Sequence, residues 1–160
     1  MNRVSIRTTN TPDAADRQVV LDQLRQFTRE TVALLDNQQF AALVVDEAGT
    51  VIGGLIGSSR WGGFHIEMIA LPAGLRGQGL GTQLLDLAES EARNRGCHHI
   101  YLDTHAFQAR GFYERRGFAL FGRIDGPAPF YPRLFLKKQL GGPADQALPL
   151  STSGSAQPFT

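Results

Sequence analysis

Ile66-Glu67-Met68-Ile69-Ala70-Leu71, followed after Pro72 by Arg76-Gly77-Gln78-Gly79-Leu80-Gly81, is the stretch that decides the reading of this chain. An apolar, strand-like run feeds a glycine turn. Gly81 to Asn94 then reads as a helix, with Leu80, Leu84, Leu85, Ala88 and Ala92 on one face. Strand, glycine turn and helix N-terminus together make an anion-binding device. First-turn N–H groups lack intrahelical partners, and the helix dipole favours negative charge there. Gly77, Gly79 and Gly81 let the backbone approach a phosphate with no Cβ in the way. Arg76 adds a fixed charge suited to phosphate oxygens. The ligand implied is a small phosphorylated cofactor carrying a pyrophosphate.

The spacing narrows which cofactor. A dinucleotide fingerprint reads G-x-G-x-x-G, whereas the glycines here alternate as G-x-G-x-G. Asp103 falls 22 residues after Gly81, but the glycine pattern already departs from that fingerprint. A P-loop needs a Lys-Ser/Thr pair after its last glycine, and Thr82-Gln83 is not one.

Arg76, Gly79 and Gly81 resemble the acyl-CoA pyrophosphate loop of the GNAT N-acetyltransferases, whose signature is Arg/Gln-x-x-Gly-x-Gly/Ala. Phe112-Tyr113-Glu114-Arg115-Arg116-Gly117-Phe118 resembles the same family's later motif, in which Phe-Tyr-x-x-x-Gly-Phe ends a short helix and starts a strand. Order and separation agree, with one strand between the motifs. The resemblance spans Val4 to Leu140 and implies an enzyme that uses acetyl-CoA. The activity it implies is direct transfer of the acetyl group to a primary amine of a small molecule, or to a protein amine. A non-catalytic CoA-binding module of the same fold is the alternative.

Acetyl transfer needs a bound thioester, a polarised carbonyl, a neutral amine and a proton for the departing thiolate. By the resemblance, Arg76, Gly77, Gln78, Gly79, Leu80, Gly81 and Thr82 hold the pyrophosphate. Met68, Ile69, Ala70 and Leu71 meet the pantetheine arm, with a backbone N–H between Ile69 and Leu71 as oxyanion donor. Tyr113 is the candidate acid, since a phenol with a reference pKa of about 10 is protonated at neutral pH. Glu67 is the candidate base, because a carboxylate in an otherwise apolar strand needs a reason. His105 and water are alternatives to it. Many family members carry an Asn six residues before the Phe-Tyr pair; Ala106 stands there, with Gln108 as a possible substitute. Trp61, His105 and Tyr131, with Phe130 and Asp125, sit in loops that flank the acceptor side of the resembled fold. Two aromatics and one acid suit a small amine with an apolar portion.

Composition fits a single domain. The chain has 160 residues, 42% hydrophobic and 19% charged, with net charge +1. So balanced a charge favours neither nucleic acid nor an anionic membrane as partner. One cysteine, Cys97, excludes an internal disulfide framework, and the four histidines show no metal-ligand spacing. Cys97 itself reads as a small core residue. No apolar run approaches membrane-spanning length, so a cytoplasmic protein is expected, with no metal. Homodimers are common in the resembled family, though nothing in the sequence requires one.

Along the chain, Val4 to Thr8 alternates and reads as a first strand. A helix follows from Pro12-Asp13 to about Leu35. Phe40–Asp46, Val51–Ser58, Phe64–Leu71, His99–Asp103, Phe118–Ile124 and Arg133–Lys138 read as further strands, with a short helix over Gln108–Arg116. Glu89, Glu91, Arg93 and Arg95 fall on the outer side of the Gly81–Asn94 helix. The expected fold is α/β (α+β), order β-α-β-β-β-α-β-α-β-β, a mixed sheet with helices on both faces. Residues 1–140 form the domain and residues 141–160, rich in Gly, Pro and Ser, a flexible tail.

Overall fold

The computed structural model describes residues 4–31 and 37–141, with side chains to 28 in the first segment. Two compact units result, Met1–Asp36 and Asn37–Thr160. The expected tail lies outside the described residues from position 142 on.

In the first unit, α1 spans Ala14–Thr31. Asp13 caps it, accepting the Asp16 N–H on Oδ1 at 2.6 Å, which satisfies one of the donors left open at a helix start. The reading of the helix beyond Thr31 lies outside the described residues. Val4 to Thr8 does not form the expected strand. Its alternation allows a strand but supplies no neighbour to pair with, and a lone strand leaves its N–H and C=O groups without partners. The segment is instead tied locally, Arg7 to Asp16 at 2.7 Å and the Thr11 N–H to Thr9 Oγ1 at 3.1 Å.

The second unit is a six-stranded mixed sheet. Its strands are β1 (Asn37–Val45), β2 (Val51–Arg60), β3 (Gly63–Ala70), β4 (His99–His105), β5 (Ala119–Ile124) and β6 (Arg133–Gln139), in spatial order β1-β2-β3-β4-β6-β5. Only β3 and β4 run parallel, joined by α2 (Leu80–Asn94), because a parallel pair needs a crossover rather than a hairpin. A short helix, α3 (Arg110–Arg115), links β4 to β5.

One face of α2 is buried against β1 to β4 through Leu84, Leu85, Ala88 and Ala92. Leu55, Phe64, Ile66, Ile100, Leu102, Leu134 and Leu136 meet them from the sheet. Each such leucine removed from water contributes about 1.5–3 kcal/mol. Glu89 departs from the expectation of an outer face: it is buried among these residues and takes both its oxygens to Lys138 Nζ of β6 at 2.7 Å. Cys97 is buried in the core as expected.

Both helices end in the same hydrogen-bonded motif. At α2 the Cys97 N–H reaches Ala92 O and the Gly96 N–H reaches Arg93 O. At α3 the Phe118 N–H reaches Tyr113 O and the Gly117 N–H reaches Glu114 O. Gly117 has φ 86°, a conformation only glycine adopts without strain. The motif brings the residue after the glycine onto the helix's last turn, so Tyr113 and Phe118 pack edge to face with ring centroids 5.9 Å apart. That geometry is the physical content of the Tyr-x-x-x-Gly-Phe spacing.

Candidate active site

The site begins where β3 and β4 part. They pair from Gly63–His99 to Ile66–Leu102, and no register pair follows. Beyond that point β3 pairs only with β2, and β4 only with β6. The cause lies in β3. Ile56 of β2 stands opposite Met68 and Gly57 opposite Ile66, so Glu67 is an extra residue, a β-bulge. A bulge bends its strand and re-aims side chains. Before it Phe64 and Ile66 face the core; after it Ile69 and Leu71 do.

Glu67 is left on the face away from α2, and its Oε1 accepts the Ser58 hydroxyl at 2.7 Å. A cavity of about 260 Å³ lies there, lined by Ser58, Arg60, Trp61, His65, Glu67 and Tyr101. His65 and Tyr101 stack across the β3–β4 pair, centroids 4.7 Å apart and 14° from parallel. Ser58, Arg60, His65 and Tyr101 escaped the sequence reading. Their signal is the period-2 alternation of β2, β3 and β4, which marks them as one face only once the register is known.

At the far end of the gap stands the glycine loop. Arg76 closes a 3-10 turn over Ala73–Leu75, and its Nε donates to Leu71 O at 3.1 Å. Gln78 Nε2 donates to Gly74 O at 2.7 Å. Gly79, with φ 81°, caps α2 without a side-chain hydrogen bond, and the first turn holds no acidic residue. The helix's positive end is therefore neither capped nor neutralised by its own residues. The first helical bond runs from the Gln83 N–H to Gly79 O, which leaves the N–H groups of Leu80, Gly81 and Thr82 ahead of the ladder.

The two sequence motifs meet here. A Cβ on Gly81 would stand 3.3 Å from Phe112 Cζ, so that glycine also serves helix packing. Phe112 packs on the core edge and Tyr113 beneath it, centroids 5.3 Å apart. The Tyr113 ring is buried, and burial pushes its phenol above the ordinary value. Its hydroxyl has no hydrogen-bond partner among the described residues yet is not sealed from solvent. Such a group stays protonated and open to a ligand.

The remaining sequence candidates divide between the two ends of the sheet. His105 stacks on Phe107, which meets Tyr131 edge to face at 4.8 Å, at the C-terminal end of β4. Trp61 sits in the β2–β3 turn beside the start of β4, about 20 Å away along that strand. The three do not form one cluster. Asp125 pairs with Arg123 at 2.7 Å. The Gln108 carboxamide oxygen accepts from Thr104 Oγ1 and the His105 N–H, both at 2.9 Å, so it shapes the end of β4. Among the described residues no helix is long and apolar enough to cross a membrane.

The sequence profile of the acetyltransferase (GNAT) family matches residues 7–118. An acetyltransferase of Agrobacterium fabrum, Atu2258, is 33% identical over 115 residues, 72% of this chain and 83% of that protein. The blasticidin-S acetyltransferase of Streptomyces morookaense is 37% identical over 102 residues, 63% of this chain and 75% of that one. A crystal structure of an Agrobacterium tumefaciens protein assigned as an acetyltransferase superposes with TM-score 0.81 at 28% identity, covering 85% of this chain and 99% of that one. These likenesses favour an enzyme over a binding module without turnover. The chain belongs to the acetyltransferase (GNAT) family.

Proposed function

We propose that the chain transfers the acetyl group of acetyl-CoA directly to a primary amine of a small molecule. The observation that carries this is the parting of β3 from β4 at the Glu67 bulge, with the uncapped N-terminus of α2 at the end of the gap. Arg76 and the N–H groups from Gly77 to Thr82 hold the pyrophosphate. The strand Met68–Leu71 offers the backbone edge that β4 does not pair, and an N–H between Ile69 and Leu71 polarises the thioester carbonyl. Gln108 keeps the neighbouring end of β4 in place.

On the opposite face, Glu67 takes the proton of the incoming ammonium, directly or through water. The amine lone pair then forms the new C–N bond as the C–S bond breaks. Tyr113, kept protonated by its burial, gives its proton to the departing sulfur, and the proton shed by the new amide nitrogen restores it through water. The likeness to the blasticidin-S enzyme supports a small-molecule acceptor.

The test is acetyl-CoA-dependent thiol release against a panel of amines, with Tyr113→Phe alongside. Release with at least one amine that falls in the variant is the expected result. Release unchanged in the variant removes Tyr113 from its role, and no release with any amine removes the acceptor class.

A further inference from the structure

Arg60 and Trp61 are the unexplained half of the cavity that holds Glu67. Arg60 follows Ser58 on the same face of β2, about 6.6 Å along the strand. Most cations of this unit are matched: Arg95 with Glu91, Arg123 with Asp125, Arg133 with Asp103, Lys138 with Glu89. The Arg60 guanidinium has no hydrogen bond or ion pair among the described residues. Its recorded contact is the Trp61 ring face, 5.6 Å away.

Trp61 is the first residue of the two-residue hairpin turn, which sets its φ of 50°, and the residue remains 59% exposed. An aromatic side chain left this exposed on a cavity wall is open to a ligand. Beside it Gly63 lets the His99 ring lie close on the strand: a Cβ there would stand 2.7 Å from His99 Nε2. The cavity adjoins a second, of about 440 Å³, which Arg60 and Trp61 also line, with His99, Phe121 and Lys137 beyond. Lys137 too rests on a ring, Phe121 at 5.5 Å, without a carboxylate in ion-pair range among the described residues. From Glu67 outward the surface thus runs from one carboxylate, past aromatic walls, to unmatched cations.

We infer that the acceptor is an amine that also carries an anionic group, a carboxylate or an equivalent oxyanion, on an aromatic or planar body. Its ammonium lies against Glu67, its body against Trp61, and its anion on Arg60. A guanidinium presents paired N–H donors that match a carboxylate in two parallel bonds. A purely cationic polyamine meets repulsion from Arg60 and Lys137 at the same surface. This substrate class rests on the acetyl-transfer reading, which places the amine at Glu67.

The test separates the two ideas by reading binding without turnover. L-Tryptophan and tryptamine, and L-phenylalanine and phenethylamine, differ only by the carboxylate. Each is titrated calorimetrically into the chain saturated with CoA, and into Arg60→Met and Arg60→Lys. The acid is expected to bind at least about tenfold tighter than its decarboxylated partner. Arg60→Met is expected to bring that ratio to within about twofold, with Arg60→Lys between. CoA binding measured on each variant confirms that it is folded. Equal binding of the two partners, a preference that survives Arg60→Met, or no binding of any of the four overturns the inference. Acids that bind as stated but accept no acetyl group overturn the transfer reading and leave this one standing.

Discussion

Ser58 donates its hydroxyl to Glu67 Oε1 at 2.7 Å from the strand beside the bulge, so the candidate base is held by a residue of β2 rather than of its own strand. Glu67 stands at the bulge, and Ser58 fixes where its carboxylate points. Ser58→Ala is expected to lower kcat about fivefold, near 1 kcal/mol, while KM for acetyl-CoA stays within about twofold. Ser58→Thr, which keeps the hydroxyl, should recover most of the rate. Steady-state kinetics of the three proteins check this.

Tyr113 combines a buried ring with an unsealed hydroxyl, and the two parts can be separated by substitution. Tyr113→Phe keeps the packing on Phe112 and Phe118 and is expected to reduce kcat about 10–100-fold with little change in stability. Tyr113→Ala removes the ring from the core and should destabilise by about 3–5 kcal/mol. Urea unfolding beside thiol-release rates distinguishes the acid from the core residue.

The half-buried Glu89–Lys138 pair ties α2 to β6 at the edge of the core. Glu89→Ala leaves an ammonium without its partner and should cost about 3 kcal/mol. Replacing both together, Glu89→Leu with Lys138→Met, is expected to be close to neutral, because the removed charges no longer need solvation. Denaturation midpoints of the single and double variants measure the difference.

His99 gives the fold a pH dependence. Burial, with the nearby charges of Lys137 and His98, holds its imidazole below the ordinary value. The unfolded chain therefore takes up a proton, on falling through about pH 6.5, that the folded chain refuses. Stability is accordingly full above that pH and declines as pH falls toward the lowered folded value. His99→Gln should flatten the decline, read as Tm across that range.

What the sequence made legible was local. The glycine loop, the start of α2 and the Tyr113-x-x-x-Gly117-Phe118 spacing are set by backbone chemistry within a few residues. Glu67 and Tyr113 followed from the resemblance those motifs carry. Relationships across the sheet were not legible. Ser58, Arg60, His65 and Tyr101 share a face only through cross-strand pairings, Ser58 with His65 and His65 with Tyr101. Glu89 read as an outer residue because its partner Lys138 is 49 positions away. Val4–Thr8 has the pattern of a strand, but pattern alone cannot say whether an edge receives it.

The extra residue at Glu67 makes β3 behave like text with a shifted reading frame. Even-numbered residues face the core up to Ile66, odd-numbered ones from Ile69 on, and both halves make sense only with the shift in place. Length is thus a stricter constraint on this strand than chemistry. A substitution at position 67 alters one side chain. Deleting that position would leave Ile69 and Leu71 in the core, restore plain alternation and remove the bend that parts β3 from β4. The protein would keep its core and lose the opening on which the proposed acetyl-CoA site depends.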